Sequence, residues 1–167
     1  MQKTFHIIGA GKVGHTLALL LQQQGWQLAA VVSRSGRALW ADHCGGRIVP
    51  CIADLPRADV LIISTPDDAI AAAAQEAAAL PWLHGGVLAL HLSGAKSAAA
   101  LDVLAARGVR TGSLHPVFAF GPTARPCAIS ASPPAKRGTT ATANAKSAPS
   151  GTTSPCIAAW PKSPANI

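Results

Sequence analysis

The chain has 167 residues, 49% of them hydrophobic, with 14 Lys/Arg against 7 Asp/Glu and a formal net charge of +7. That length holds one domain with a real core. No apolar run reaches the length of a membrane span, and Met1-Gln2-Lys3 opens no signal peptide, so the expectation is a soluble, cytoplasmic protein without a membrane partner. Nucleic acid is not an expected partner either. Residues 1–120 carry nine Lys/Arg and all seven acids, residues 121–167 carry five Lys/Arg and no acid, and no tyrosine offers a base a stacking platform. The basicity belongs to the C-terminal end of the chain and marks no binding face.

Phe5 to Ile8 is an apolar run of strand length, and it leads straight into Gly9-Ala10-Gly11-Lys12-Val13-Gly14. Val13, Leu17, Leu20 and Leu21 then recur as one face of a helix. Each glycine in this strand–turn–helix has a mechanical task. Gly9 permits the tight turn, Gly11 leaves a pyrophosphate unobstructed, and Gly14 lets the helix pack against the sheet. The helix N-terminus adds unpaired N–H groups and the positive end of its dipole. Gly9, Ala10, Gly11, Lys12, Val13 and Gly14 are therefore expected to hold the phosphates of a dinucleotide.

Gly25 stops the first helix, and Leu28 to Val32 reads as a second strand, apolar on both faces. It ends in Ser33-Arg34-Ser35. An NAD site places an acid about twenty residues beyond the glycines to hold the ribose 2′-hydroxyl; Arg34 stands there instead, between two hydroxyls. That pattern suits the 2′-phosphate of NADP. The plainer alternative is a solvated loop arginine.

Gly36 to His43 reads as a short helix ended by Gly45-Gly46, and Ile48 to Ile52 as a third strand, irregular or at an edge because of Pro50. Asp59 to Ser64 is the clearest strand. It stops at Thr65-Pro66, where Asp67 is placed to cap a helix with Ile70, Ala73, Ala74 and Ala77 on one face. Ser64, Thr65 and Pro66, at a strand's carboxyl end, are expected to approach the cofactor. Gly86 to Leu90 gives a further strand running into His91-Leu92-Ser93-Gly94-Ala95. A helix from about Ser97 to Gly108, with Leu101 and Leu104 inward, and a last strand from Val109 to Ser113 follow. This alternation predicts an α/β fold with a parallel sheet.

At Gly121 the character changes. Of the 47 residues from there to Ile167, 34 are Pro, Ala, Ser, Thr or Gly, without helical or strand period. Such a segment is expected to be disordered. Two origins account for it: a frameshifted or truncated coding sequence, since a GC-rich gene read out of frame gives this composition, or a genuine low-complexity tail. Cys44, Cys51, Cys127 and Cys156 lack the close pairing of a zinc site, so no metal is expected.

Gly-Ala-Gly-Lys-Val-Gly, Ser-Arg-Ser, Thr-Pro-Asp-Asp-Ala-Ile, His-Leu-Ser-Gly-Ala and Ser-Leu-His-Pro-Val-Phe-Ala-Phe occur in that order. With these motifs the chain resembles bacterial Rossmann-like proteins assigned as NADP oxidoreductases, whose helical C-terminal domain is of unknown function. They are distant relatives of pyrroline-5-carboxylate reductase, prephenate dehydrogenase and the 3-hydroxyacid dehydrogenases. The resemblance implies a Rossmann-type doubly wound sheet over residues 1–120 that binds NADP(H) and acts on a small-molecule substrate. It also implies homodimers for full-length relatives. Nothing after Phe120 resembles their C-terminal domain, so the chain alone is expected to be inactive.

Two side chains would face the nicotinamide end. Ser93, after a strand and before Gly94, offers a hydroxyl and nearby N–H groups to a carboxylate or oxyanion. His115, at the next strand's end, suits proton transfer beside a hydride step. A turn serine and a loop histidine held by Pro116 are the bland alternatives. His91 reads as structural, and His6, His15, His43 and His84 receive no role. The lack of tyrosine excludes a Tyr-Lys catalytic pair. A non-catalytic nucleotide-sensing module stands as the competing function.

Overall fold

In the computed structural model, which describes residues 2–36 and 38–115, the apolar runs form one parallel sheet. Its strands are β1 (Thr4–Ile8), β2 (Gln27–Val32), β3 (Arg47–Val49), β4 (Val60–Ile63), β5 (Leu88–His91) and β6 (Arg110–Ser113). Their spatial order is β3-β2-β1-β4-β5-β6, every pairing parallel. Helices α1 (Lys12–Gln23), α2 (Leu39–His43), α3 (Ile70–Ala77) and α4 (Asp102–Ala105) lie between the strands in sequence. The chain leaves β3 at one edge and returns to lay β4 beside β1. Strand order therefore reverses between β1 and β4, and a crevice opens there beyond the carboxyl ends. This is the doubly wound α/β sheet expected from the sequence.

Side chains that alternate along the strands feed two cores. Phe5 and Ile7 pack with Ala18 of α1, Ala41 of α2, and Leu28, Val31, Val60 and Ile62. Ile8 packs on the opposite face with Val32, Leu61 and Ile63, the α3 residues Ile70, Ala73, Ala74 and Ala77, and Leu101 and Leu104. Burial on both faces is why β4 reads as an unbroken apolar run and β1 as one interrupted only by the buried His6. The small side chains of α3 let its axis lie close to the sheet, and Gly14 and Ala18 do the same for α1.

That close approach corrects the reading of α1. Its innermost positions are Gly14 and Ala18, while Leu20 is 40% exposed. The helix is rotated so that its narrowest residues come closest to the strands, with Leu17, Leu19 and Leu21 half-buried against the same core and Leu20 turned out. Four boundaries shift as well. β3 stops at Val49, since Pro50 offers no N–H to a ladder, and Ile52–Asp54 forms a 3-10 turn. The short helix α2 begins at Leu39 and not at Gly36. Asp67 caps nothing: it lies in a 3-10 turn, Asp67–Ala69, that follows Pro66 and precedes α3 without a side-chain cap. The helix expected from Ser97 is divided into a 3-10 turn, Ala98–Leu101, and α4, although Leu101 and Leu104 are both fully buried. The boundary at Gly121, the disorder expected of residues 121–167, and Cys127 and Cys156 lie outside the described residues. Among the described residues, no helix is long and apolar enough to cross a membrane.

One polar side chain in the core sets a pH dependence. His6 of β1 is fully buried and donates from Nε2 to the Pro56 carbonyl at 2.8 Å, with Trp82 edge-on at 5.8 Å. Its Nδ1 is buried and has no hydrogen-bond partner among the described residues. Burial pushes the His6 pKa below the ordinary histidine value, against the opposing pull of the Pro56 carbonyl. The unfolded chain, with histidine near about 6.5, then binds a proton that the folded chain refuses. Stability from this source is complete above that value and falls as pH drops below it. Urea melts from pH 7.5 to 5.5 should show the midpoint declining below about pH 6.5, and His6→Gln should flatten that decline.

Candidate functional site

The crevice at the strand reversal is built from three turns. The first follows β1. Gly9 has φ +104°, and a Cβ there would lie 2.5 Å from the Ser64 carbonyl oxygen, so only glycine fits both the conformation and the space. Hydrogen bonds tie this turn to both neighbours: the Gly9 amide donates to Val32 at 3.0 Å, and the Ser64 amide donates to Ile8 at 2.8 Å. Gly11 is the N-cap of α1 in extended conformation, with no side-chain cap and no acid in the first turn. The first-turn amides are thus left for an anion. A Cβ at Gly11 would meet nothing within 4 Å among the described residues; the position is open. Gly14 is different again, since a Cβ there would lie 3.1 Å from both Ile7 and the Ser64 hydroxyl.

The second turn follows β2. The Gly36 amide closes it on the Ser33 carbonyl at 3.0 Å, and the Ser33 and Ser35 hydroxyls approach to 3.3 Å. Ser33 is buried, while Arg34 and Ser35 are exposed. Because Val32 accepts from Gly9, this turn and the glycine turn stand side by side. The third turn follows β4. Ser64 backs the glycines with its carbonyl and hydroxyl, which makes it a wall of the turn. Thr65 Oγ1 is buried and lacks a hydrogen-bond partner among the described residues, an unmet polar group at the crevice. Pro66 is exposed at the start of the following 3-10 turn. The open cradle at Gly11, the uncapped helix and the unmet hydroxyl fit a dinucleotide lying across the crevice.

Beyond β5 and β6 the structure brings Ser93 and His115 into one locality. His91 is fully buried; its Nδ1 accepts the Ser93 amide at 3.2 Å, so its proton resides on Nε2, which donates to Ser97 at 3.0 Å. Ser93 is buried, and its hydroxyl oxygen accepts the amides of Ala95 and Lys96, each at 3.1 Å. These are the N–H groups that sequence reasoning offered to a substrate, and they are already engaged. His115 is exposed, and its ring lies against Gly94: a Cβ at Gly94 would sit 2.5 Å from Nδ1 and Cε1. Gly94 thus makes room for the imidazole beside the serine turn, a contact 21 positions apart that no local pattern announces.

With that geometry in hand, comparison with known proteins places the fold. The Rossmann-like domain family matches residues 2–116, and the chain belongs to it. No curated protein matches the chain. Among solved structures, it is similar to a protein of Bacteroides fragilis assigned as an NADP oxidoreductase, at 25% identity and a TM-score of 0.51, covering 57% of this chain and 38% of that one. An imine reductase from Myxococcus stipitatus in complex with NADP+ matches at 22% identity and a TM-score of 0.53, over 64% of this chain and 38% of that one. The WlbA dehydrogenase of Bordetella pertussis, solved with NADH and UDP-GlcNAcA, matches at 18% identity and a TM-score of 0.54, over 68% and 37%. The chain spans about two fifths of the length of these structures.

The contrast between Gly9 and Gly11 is testable. Gly9→Ala should cost about 3 kcal/mol or more, or prevent folding, because it forces both a left-handed backbone and a clash with Ser64. Gly11→Ala should stay within about 1 kcal/mol of wild type in chemical denaturation yet lose dinucleotide binding in calorimetry. Equal losses of stability would mean that Gly11 is structural.

Proposed function

As a member of the Rossmann-like domain family, the chain, we propose, is the NADP(H)-binding part of an oxidoreductase that moves hydride to or from a small-molecule substrate. The observation that carries this reading is the open cradle at Gly11 directly beside the Ser33-Arg34-Ser35 turn. The amides at the start of α1 hold the pyrophosphate, and Gly11 keeps the approach clear. Ser33, Arg34 and Ser35 hold the 2′-phosphate. Solved proteins of this fold carry NADP+ in one case and NADH in another, so the preference rests on the arginine that replaces an acid. Thr65 and Pro66 border the cofactor beyond β4, and Ser64 supports the turn from behind. The bound nicotinamide supplies or accepts the hydride.

His115 exchanges the proton that accompanies hydride transfer, with its ring seated on Gly94. The Ser93 hydroxyl donates to a substrate oxygen or nitrogen, its own oxygen held by two backbone amides. His91 keeps that turn in place from beneath. The rest of the substrate enclosure is expected from a further domain, of the kind that the longer solved structures leave room for. In this reading the chain is cytoplasmic, and full-length relatives are dimers.

A second reading has its own support. The Ser93 amide and hydroxyl oxygen are both engaged within the turn, as in a serine that merely shapes a loop. A nucleotide-binding module without catalysis fits that observation.

Two measurements decide between these. Titrations should give NADPH at least about tenfold tighter binding than NADH, the worth of one charge-assisted phosphate contact, with Arg34→Ala erasing the difference. Equal affinities in the wild type would remove the NADP assignment. In a screen of 2-hydroxy, 3-hydroxy and imino acids, the chain alone should turn over more slowly than about one per second. Faster turnover, abolished by Ser93→Ala or His115→Ala, would show that no further domain is required.

A further inference from the structure

The glycine turn is also held from the side of α2. Trp40 donates its indole N–H to the Ala10 carbonyl at 3.2 Å. Its ring stacks on the His15 imidazole, with centroids 5.0 Å apart and planes 19° from parallel. His15 belongs to the first turns of α1, and its amide closes the helix on the Gly11 carbonyl at 3.1 Å. Burial, with His43 adding to it, holds the His15 pKa below the ordinary value, so the stacking partner is a neutral ring at pH 7. One side chain therefore grips both the peptide before Gly11 and the helix turn after it.

We propose that Trp40 is a positioning residue for the phosphate-binding turn, aiming its N–H groups at an anion. The physical reason lies in the peptide unit between Ala10 and Gly11. It is planar and trans, so its carbonyl and its N–H point in opposite directions. The indole fixes the carbonyl of Ala10 toward α2. The Gly11 amide is then directed away from Trp40. Without the indole that peptide is free to rotate, and an amide that wanders must be ordered again each time a ligand binds. The stack on His15 extends the same restraint into α1.

The proposal rests on the cofactor reading for its ligand but not for its local geometry, and the two separate experimentally. The full chain and its Trp40→Phe variant, which keeps a stacking ring and loses the donor, are compared in two ways. Hydrogen exchange without ligand should quicken at the His15 amide, about threefold to tenfold for one lost hydrogen bond, with thermal melting nearly unchanged. Calorimetry should show ADP, which carries a diphosphate, weakened by a similar factor, and 2′-AMP, which reports on the Ser33–Ser35 turn, unchanged within about twofold. Trp40→Leu, which loses the stack as well, should move both further. Unchanged exchange at His15 overturns the proposal, as does unchanged ADP affinity in a chain that binds ADP. Equal weakening of both nucleotides alongside a lowered melting temperature also overturns it, since that is general destabilisation. A wild type that binds neither nucleotide, with exchange at His15 still quickened, would sink the cofactor reading and leave the positioning of the turn upheld.

Discussion

The structure depends on how closely the backbone after β1 approaches the backbone after β4. At Gly9 there is no room for a single carbon beyond Cα, because the Ser64 carbonyl already occupies it. That approach is what lets the chain turn from β1 into α1 within three residues. It also brings the uncapped end of α1 to the point where strand order reverses. Everything offered to a ligand follows from it: the helix N-terminus at the crevice, the neighbouring β2 turn tied through Val32, and the β4 turn that forms the far wall. A side chain at Gly9 would push apart two strands whose registry is set along their whole length by parallel pairing.

The three glycines of the motif divide into different kinds of constraint. Gly9 and Gly14 answer to packing, against Ser64 and Ile7, and would be demanded by the fold even if nothing bound. Gly11 answers to no neighbour among the described residues. An unfilled space at a helix N-terminus has no structural use, whereas a ligand phosphate gives it one. The same distinction separates Ser64, which supports the turn, from Thr65, whose buried hydroxyl lacks a partner among the described residues.

The second locality, beyond β5 and β6, is organised from beneath by a histidine whose tautomer is settled by its partners. His91 accepts from Ser93 and donates to Ser97, so the turn between them is braced at both ends. On that brace sit a serine with one proton to give and an exposed imidazole lodged on Gly94. These groups lie on one side of a crevice. The part of this chain that matches solved proteins of similar fold spans about two fifths of their length.

Strand positions, the two-sided burial of β1 and β4, the glycine turn and the Ser33–Ser35 turn were all legible in the sequence, because each is encoded within a few consecutive residues. An apolar run between turn residues has few alternatives, and a glycine spacing describes its own turn. Local signals failed where neighbours decide. Leu17 and Leu21 of α1 do pack on the core, but its innermost line is Gly14 and Ala18, which allow a closer fit against the sheet, and Leu20 faces out. Asp67 is a good capping residue with no helix end to cap. The indole of Trp40 on Ala10, its stack on His15, and the lodging of His115 against Gly94 join residues far apart in the chain. No period or motif carries such pairs, because what brings them together is the closure of the parallel sheet. The sequence by itself thus determined which turns stand at the crevice; only tertiary packing decided which distant side chains hold those turns still.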